Sequence, residues 1–386
     1  MSSVLKLSQL ATISAGQGAP QGADKYSNSG TPFIKAGDLL SLINGQGEES
    51  VQKVSEKVAE SHRLKLFPSG TVLFAKSGMS CMKGYVYVLK KDCYVVSHLA
   101  CITPQSIEPE YLRYYFEYHK PNFLVKDAAY PSISLTDIGA IDIVVPESTL
   151  RSRIINILSS IDRAISYRQK ELLDLEQLVK SRFIELFGDV ISNSKNWPIH
   201  MLAEIAASRL GKMLDAKQQT GENNYPYLAN FNVQWFRFEL DSLNQMDFNE
   251  DDRTEFELRD GDLLICEGGE IGRCAVWHDE LQPCYFQKAL HRVRCDRQFV
   301  HPDYLAWWFK YNCDHNGFAA IAGAKATIAH LTGVKLKQLQ VALPPIELQE
   351  QFAGFVEQTD KSKYYSSLSY IYCQLTANYF RQEWTT

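Results

Sequence analysis

The run from Leu150 to Phe187 constrains this chain more than any other. Ile154, Leu158, Ile161, Ile165, Arg168, Leu172, Leu175, Val179, Arg182 and Leu186 follow one another at alternating spacings of four and three. That is the stripe of a helix packed lengthwise against a second helix. Pro146 stands where a missing amide hydrogen costs nothing, and Gly188 where a left-handed residue closes a helix. At 1.5 Å per residue such a helix is roughly 60 Å long, more than a small domain can cover. The alternative is a long amphipathic helix lying on its own domain. Arg168 and Arg182 either lay their stems along the stripe with the charges in solvent, or fix helix register or a docking carboxylate.

What favours pairing is a second proline-led run, Pro344–Trp384. Phe352, Val356, Leu368, Ile371 and Leu375 can be joined into a matching stripe, interrupted by the polar stretch Thr359–Ser367. A kink, a register change or fraying is expected there.

The rest of the chain repeats as well. Leu7-Ser-Gln-Leu10-Ala11 returns as Leu202-Ala-Glu-Ile205-Ala206, and Thr31-Pro-Phe-Ile34 as Tyr225-Pro-Tyr-Leu228. Gly70-Thr-Val-Leu-Phe74 with Gly78 matches Gly261-Asp-Leu-Leu-Ile265 with Gly269. Each reads as a turn, a short buried strand and a glycine that needs a free backbone. Glu108-Pro-Glu-Tyr111-Leu112 and His301-Pro-Asp-Tyr304-Leu305 both place proline at a helix start, with Tyr115, Phe116, Trp308 and Phe309 on the core face. The offsets stay between 191 and 198 positions, which means a duplicated unit with small insertions. Two copies are too few for a solenoid. The expected fold is α+β: two similar mixed α/β domains, residues 1–145 and 191–345, separated by two long antiparallel helices, residues 146–190 and 346–386, in a pseudo-twofold arrangement.

The chain has 386 residues, too many for one ordinary core. No run reaches the roughly 18 apolar residues of a membrane span, and Met1–Leu10 lacks the features of a signal peptide. Nine cysteines form no CxxC pair and several sit in apolar runs. They read as buried thiols in a reducing cytoplasm, not as disulfides or a zinc site. The net charge of −5 argues mildly against nucleic acid, but a duplex needs only a local basic surface. Much of the acid lies in Asp247–Glu257, expected as a solvated loop.

The repeated stretches resemble the specificity subunit of type I restriction–modification systems, over nearly the whole chain. The resemblance rests on Thr31-Pro-Phe-Ile-Lys-Ala-Gly-Asp38, Gly70-Thr-Val-Leu-Phe-Ala-Lys-Ser-Gly78 and Leu343-Pro-Pro-Ile-Glu-Leu-Gln-Glu-Gln351, and on their order and repetition. The first copy departs from the pattern, with Val145-Pro-Glu-Ser-Thr-Leu-Arg-Ser-Arg153 where Pro-Pro-x-Glu-x-Gln is usual. The family implies a non-catalytic subunit that binds a split, asymmetric double-stranded DNA target, one recognition domain per half. It also implies docking of two adenine-methylating subunits and a restriction subunit. S-adenosylmethionine, ATP and magnesium would then sit on those partners, with no cofactor held by this chain. A protein–protein scaffold with duplicated adaptor domains is the competing reading.

Base edges are read by adaptable polar side chains, while phosphate contacts position the protein. In the first domain the candidates are Lys76, Ser77, Lys126, Tyr130 and Ser132. In the second they are Asn232, Gln234, Arg273, Gln287, Lys288, Lys325 and Thr327. By hydrogen-bond geometry Asn232 and Gln234 suit adenine, and Arg273 suits guanine. An ordinary solvated turn residue is the alternative for each. No catalytic constellation emerges: there is no Walker loop, GxSxG, HExxH or methyltransferase signature. Asp262 and Glu267 lack the lysine of a metal-dependent nuclease, its place being Gly269, and no metal site is expected.

Overall fold

A computed structural model describes residues 3–215, 219–318 and 330–383. The chain divides into two compact units, Met1–Gln169 with Leu368–Thr386, and Lys170–Ser367. The division falls inside both long helices, so each unit holds part of each.

In the first unit, β1 (Ala11–Ala15), β2 (Val72–Ala75), β3 (Val86–Val88) and β4 (Leu99–Pro104) form an antiparallel sheet in the order β1-β4-β2-β3. Every residue of β2 is buried, and alternate side chains enter opposite cores. Val72 and Phe74 pack with Ile102, Tyr111 and Phe116, whereas Leu73 and Ala75 pack with Phe33, Val95 and Cys101. A strand covered on both faces needs a continuous apolar run, which is why Val-Leu-Phe-Ala shows no alternation. Helix α1 (Pro109–Tyr118) closes one core. The other is closed by a smaller sheet, where Thr31–Ile34 pairs antiparallel with Lys53–Val54 and parallel with Cys93–Val95. Ser3–Lys6 pairs with Asp142–Val145, and helix α2 (Ser148–Phe187) follows.

The second unit repeats this topology. Strands β5 (Ala206–Leu210), β6 (Asp262–Cys266), β7 (Cys274–Val276) and β8 (Leu290–Cys295) take the order β5-β8-β6-β7. Leu263 and Ile265 enter one core, Leu264 and Cys266 the other. Helix α3 (Pro302–Asp314) covers the first, and Ile199–Met201 pairs with Gln340–Ala342 ahead of helix α4 (Ile346–Glu383). The expected duplicated α+β architecture is thus present, with the four-stranded sheet repeated in order, while the smaller sheets differ, the first unit adding Leu66–Phe67 and the second the hairpin Val233–Phe238. Nine free cysteines accompany it, six of them buried.

Each copy ties its proline-led helix to the start of a long helix. Tyr111 OH donates to Val144 O, and Tyr304 OH to Ala342 O. Fully buried Gln349 accepts from His301 N at 2.9 Å and donates to Phe299 O at 3.1 Å and Pro344 O at 2.8 Å. At the corresponding position of the first copy, Arg151 pairs with Glu108 and donates to Pro146 O at 3.0 Å. The departure from the family pattern is therefore a substitution of a partly solvated ion pair for a buried amide. In the first unit Asp162 of α2 accepts from Arg113 and Tyr114, both at 2.8 Å. The second unit has Ala306 and Trp307 at the matching positions, and Trp307 stacks on Phe236 with ring centroids 4.4 Å apart.

Ile154, Leu158 and Val179 are buried, and Ile161, Ile165, Leu172, Leu175 and Leu186 are half-buried. The stripe does not pass through Arg182, which pairs with Glu185 at 2.8 Å, nor through exposed Arg168. Its buried residues at the end of α2 are Phe183 and Phe187, which lie 5.5 Å and 5.4 Å from the Phe352 ring in the second unit. A straight helix of 3.6 residues per turn drifts off a 3.5-residue stripe by about 20° per heptad. Over this length that moves the contact from Arg182 to Phe183. In the first unit, Gln169 Nε2 donates to Tyr370 OH at 3.0 Å. An earlier residue of α2 thus meets a later one of α4, the order of an antiparallel pair.

Phe352 and Val356 are buried, but Leu368 and Ile371 are 46% and 49% exposed, and the side chain of Leu375 lies outside the described residues. The chain does not fray at the polar stretch, because α4 is helical throughout Ile346–Glu383. Thr359 and Ser366 supply its buried positions, and Thr359 Oγ1 satisfies itself on Phe355 O at 2.8 Å. The acidic stretch is likewise not a solvated loop. Glu250–Phe256 is a helix capped by Asn249, with Glu250, Asp251 and Asp252 in the first turn, where the helix dipole favours anions. Asp247 is buried and accepts from Thr220 Oγ1 and Gly221 N, both at 2.8 Å.

Candidate nucleic-acid interface

The central strand of each unit is too buried to meet a duplex, so the loops leaving its end are the places where polar side chains collect. In the first unit Lys76 follows β2 directly. Its N–H donates to His98 O at 2.9 Å and its carbonyl accepts from Ile133 N at 2.8 Å. Gly78, with φ at 74°, turns the chain and donates to Pro131 O at 2.9 Å. A bridge between Ser77 and Ser132 completes the junction, and Ser77 Oγ lies 2.8 Å from His98 Nδ1. The fold thus brings Lys76, Ser77 and Ser132 together from segments far apart in sequence. Tyr130 stands beside them, 81% exposed. Lys126 is exposed and paired with Asp137 at 2.9 Å, so a phosphate would compete with that carboxylate.

The second unit corrects several expectations. Asn232 is fully buried and cannot read a base. Its amide accepts from Ala229 N at 2.8 Å and donates to Glu239 O and Ser242 O, bracing the short hairpin Val233–Phe238 from beneath. The Arg273 guanidinium is similarly engaged, donating to Asn230 O at 3.0 Å and Asn230 Oδ1 at 2.9 Å. Its Nη2 holds the Asn230 loop, while Nη1 lies 3.7 Å from Glu270 and the side chain is 16% exposed. Gln234 donates to Phe231 O at 2.9 Å, at the foot of a loop where Phe231 is 51% exposed. Gln287 and Lys288 lie on the turn before β8, where Lys288 is exposed. Lys325 and Thr327 lie outside the described residues.

Two groups lie outside the expected DNA-contacting set. Glu267, considered above only as a nuclease carboxylate, occupies the place of Lys76, and Trp235 Nε1 donates at 2.6 Å to Glu270, three positions further on. The matching glycines Gly78 and Gly269 already contained the signal for Glu267, two positions before the second. His291 is buried and donates from Nε2 to Leu331 O at 2.9 Å. Burial lowers its pKa, leaving a neutral core imidazole. Among the described residues no three His, Cys, Asp or Glu side chains gather as a metal site, and no helix is long and apolar enough to cross a membrane.

Known proteins agree with this architecture. At 24% identity, 195 residues match the type I restriction enzyme MjaIX specificity subunit of Methanocaldococcus jannaschii, covering 48% of this chain and 44% of that protein. The putative MjaX specificity subunit of the same organism matches at 24% over 170 residues, 43% of this chain and 40% of the relative. The chain therefore matches less than half the length of either relative. In three dimensions it follows the S subunit of a type I restriction–modification system from M. genitalium, with a TM-score of 0.63, 11% identity and coverage of 100% and 96% of the two chains. A chain from a structure concerned with complex assembly and conformational transition of the type I R-M system gives a TM-score of 0.58, 15% identity and coverage of 99% and 97%. The family model for the type I restriction modification DNA specificity domain matches twice, at residues 2–177 and 194–364, and this chain is a member of that family.

Proposed function

We propose that the chain reads a bipartite, asymmetric DNA sequence, one half through each domain, as the non-catalytic subunit of a type I complex. The observation that carries this is the duplication itself. Two units share a strand order and a loop frame, yet present different side chains on their loops, as Lys76 and Glu267 do. Equal frames with unequal side chains suit a target whose halves differ. The long helices, with exposed Tyr167, Leu173, Tyr364, Tyr365 and Tyr372, are the surfaces for methyltransferase subunits and a restriction subunit. S-adenosylmethionine, ATP and magnesium would be bound by those partners.

The experiment is to map methylated adenines in DNA from cells with and without this chain. One split motif, lost on deletion, is the expected result. Replacing residues 1–145 with another recognition domain should alter one half of that motif only. A complex that prefers no duplex over random DNA would defeat the proposal and favour a protein scaffold.

A further inference from the structure

The two loops hang on one backbone frame and carry opposite charges. Lys76 N donates to His98 O at 2.9 Å and Lys76 O accepts from Ile133 N at 2.8 Å. Glu267 N donates to Ala289 O at 2.9 Å and Glu267 O accepts from Leu331 N at 2.8 Å. Each residue directly follows its central strand, and each stands two positions before a glycine in the left-handed region, Gly78 at 74° and Gly269 at 79°. Both side chains are half-buried. Among the described residues neither the Lys76 ammonium nor the Glu267 carboxylate has a hydrogen bond or an ion pair. A charge partly removed from water, with no partner among the described residues, gains most from an outside group of opposite polarity.

We propose that Lys76 and Glu267 are corresponding specificity-determining residues, Lys76 for a base that presents acceptors and Glu267 for a base that presents an exocyclic amine. This rests on the DNA-reading function proposed above. In the major groove guanine offers N7 and O6 to a lysine, while cytosine offers its N4 amine, and adenine its N6 amine, to a carboxylate. Phosphates repel Glu267, so within a duplex only a base amine rewards it. The surroundings differ in the same sense. Ser77 and its bond to His98 are replaced by Gly268, whose absent Cβ would lie 3.1 Å from Nδ1 of the His330 ring. Both loops thus have an imidazole close by, but the first adds a hydroxyl next to its ammonium and the second has only the bare Gly268 backbone next to its carboxylate.

The test uses the intact complex of this chain with its methyltransferase subunit, and reads the methylated motif from a random duplex library. E267K should change the preference at one base pair of one half-site from an amine-bearing base to guanine. K76E should make the reverse change in the other half. Each change in discrimination should be roughly tenfold to a hundredfold. E267Q, which keeps the shape and drops the charge, should move that position towards adenine. Should a charge-reversed chain fail to assemble, K76Q and E267Q carry the same test without reversal. An unchanged motif in all assembled variants would overturn this proposal and leave DNA reading intact. A wild-type complex with no preferred sequence would overturn the function itself, and this assignment with it.

Discussion

Gln349→Ala and Arg151→Ala compare two chemical solutions to one structural task. Gln349 is fully buried and bonds three backbone groups, at His301, Phe299 and Pro344. Truncation removes all three bonds and leaves the His301 N–H without its acceptor. One unsatisfied buried group costs about 1–3 kcal/mol. Adding the two weakened carbonyls brings the expected loss to about 2–4 kcal/mol. Arg151 works in wetter surroundings, its side chain 13% exposed and that of Glu108 37%. Water can replace part of what Arg151→Ala removes, and its loss should be about 1 kcal/mol. With two units in the chain a single unfolding free energy is poorly defined. Hydrogen–deuterium exchange of the intact chain reads them separately, through peptides spanning His301 and Pro344 or Glu108 and Pro146. Each variant should lower protection in its own unit, Gln349→Ala by the larger amount. Equal loosening by Arg151→Ala and Gln349→Ala, or a change in opening below about 0.5 kcal/mol for Gln349→Ala, would refute this difference between the two solutions.

Other outcomes follow from the same geometry. Phe352→Ala removes a ring packed between Phe183, Phe187 and Trp307 and should cost about 3–5 kcal/mol in the second unit, whereas Leu368→Ala, at a site 46% exposed, should stay within about 0.5 kcal/mol by exchange or urea unfolding. Equal losses would restore the unbroken apolar stripe. Burial raises the Asp303 pKa to about 6 from 3.8, so the folded state resists ionising it. Above pH 6 that penalty is fully present, and it fades as pH falls through 6 towards 4. Asp303→Asn should therefore stabilise the second unit at pH 7.5 and lose its advantage near pH 4. A destabilised variant at pH 7.5 would contradict this sign.

The loops were the least legible part of the sequence. Asn232 has the amide of an adenine reader, but three backbone groups from its own hairpin claim that amide first. Arg273 has the fork of a guanine reader, and Asn230 occupies one arm of it. Residue type names what a side chain can bond, whereas the folded backbone decides which partner is nearest. Lys76 and Ser132 met as expected candidates only because Ile133 N and Pro131 O bind the strand-end loop across a long stretch of chain.

The duplication, the buried central strands and the proline-led helices were determined by the sequence alone. Turn chemistry and apolar runs are local, and they recur at nearly constant offset. Tertiary structure decided the rest: the shift of the α2 contact to Phe183 and Phe187, the use of Thr359 and Ser366 inside α4, and the correspondence of Lys76 with Glu267. Each depends on where a 3.6-residue turn or a backbone hydrogen bond finally delivers a side chain. Small differences accumulated along a helix, or bonds closed between distant segments, set that place.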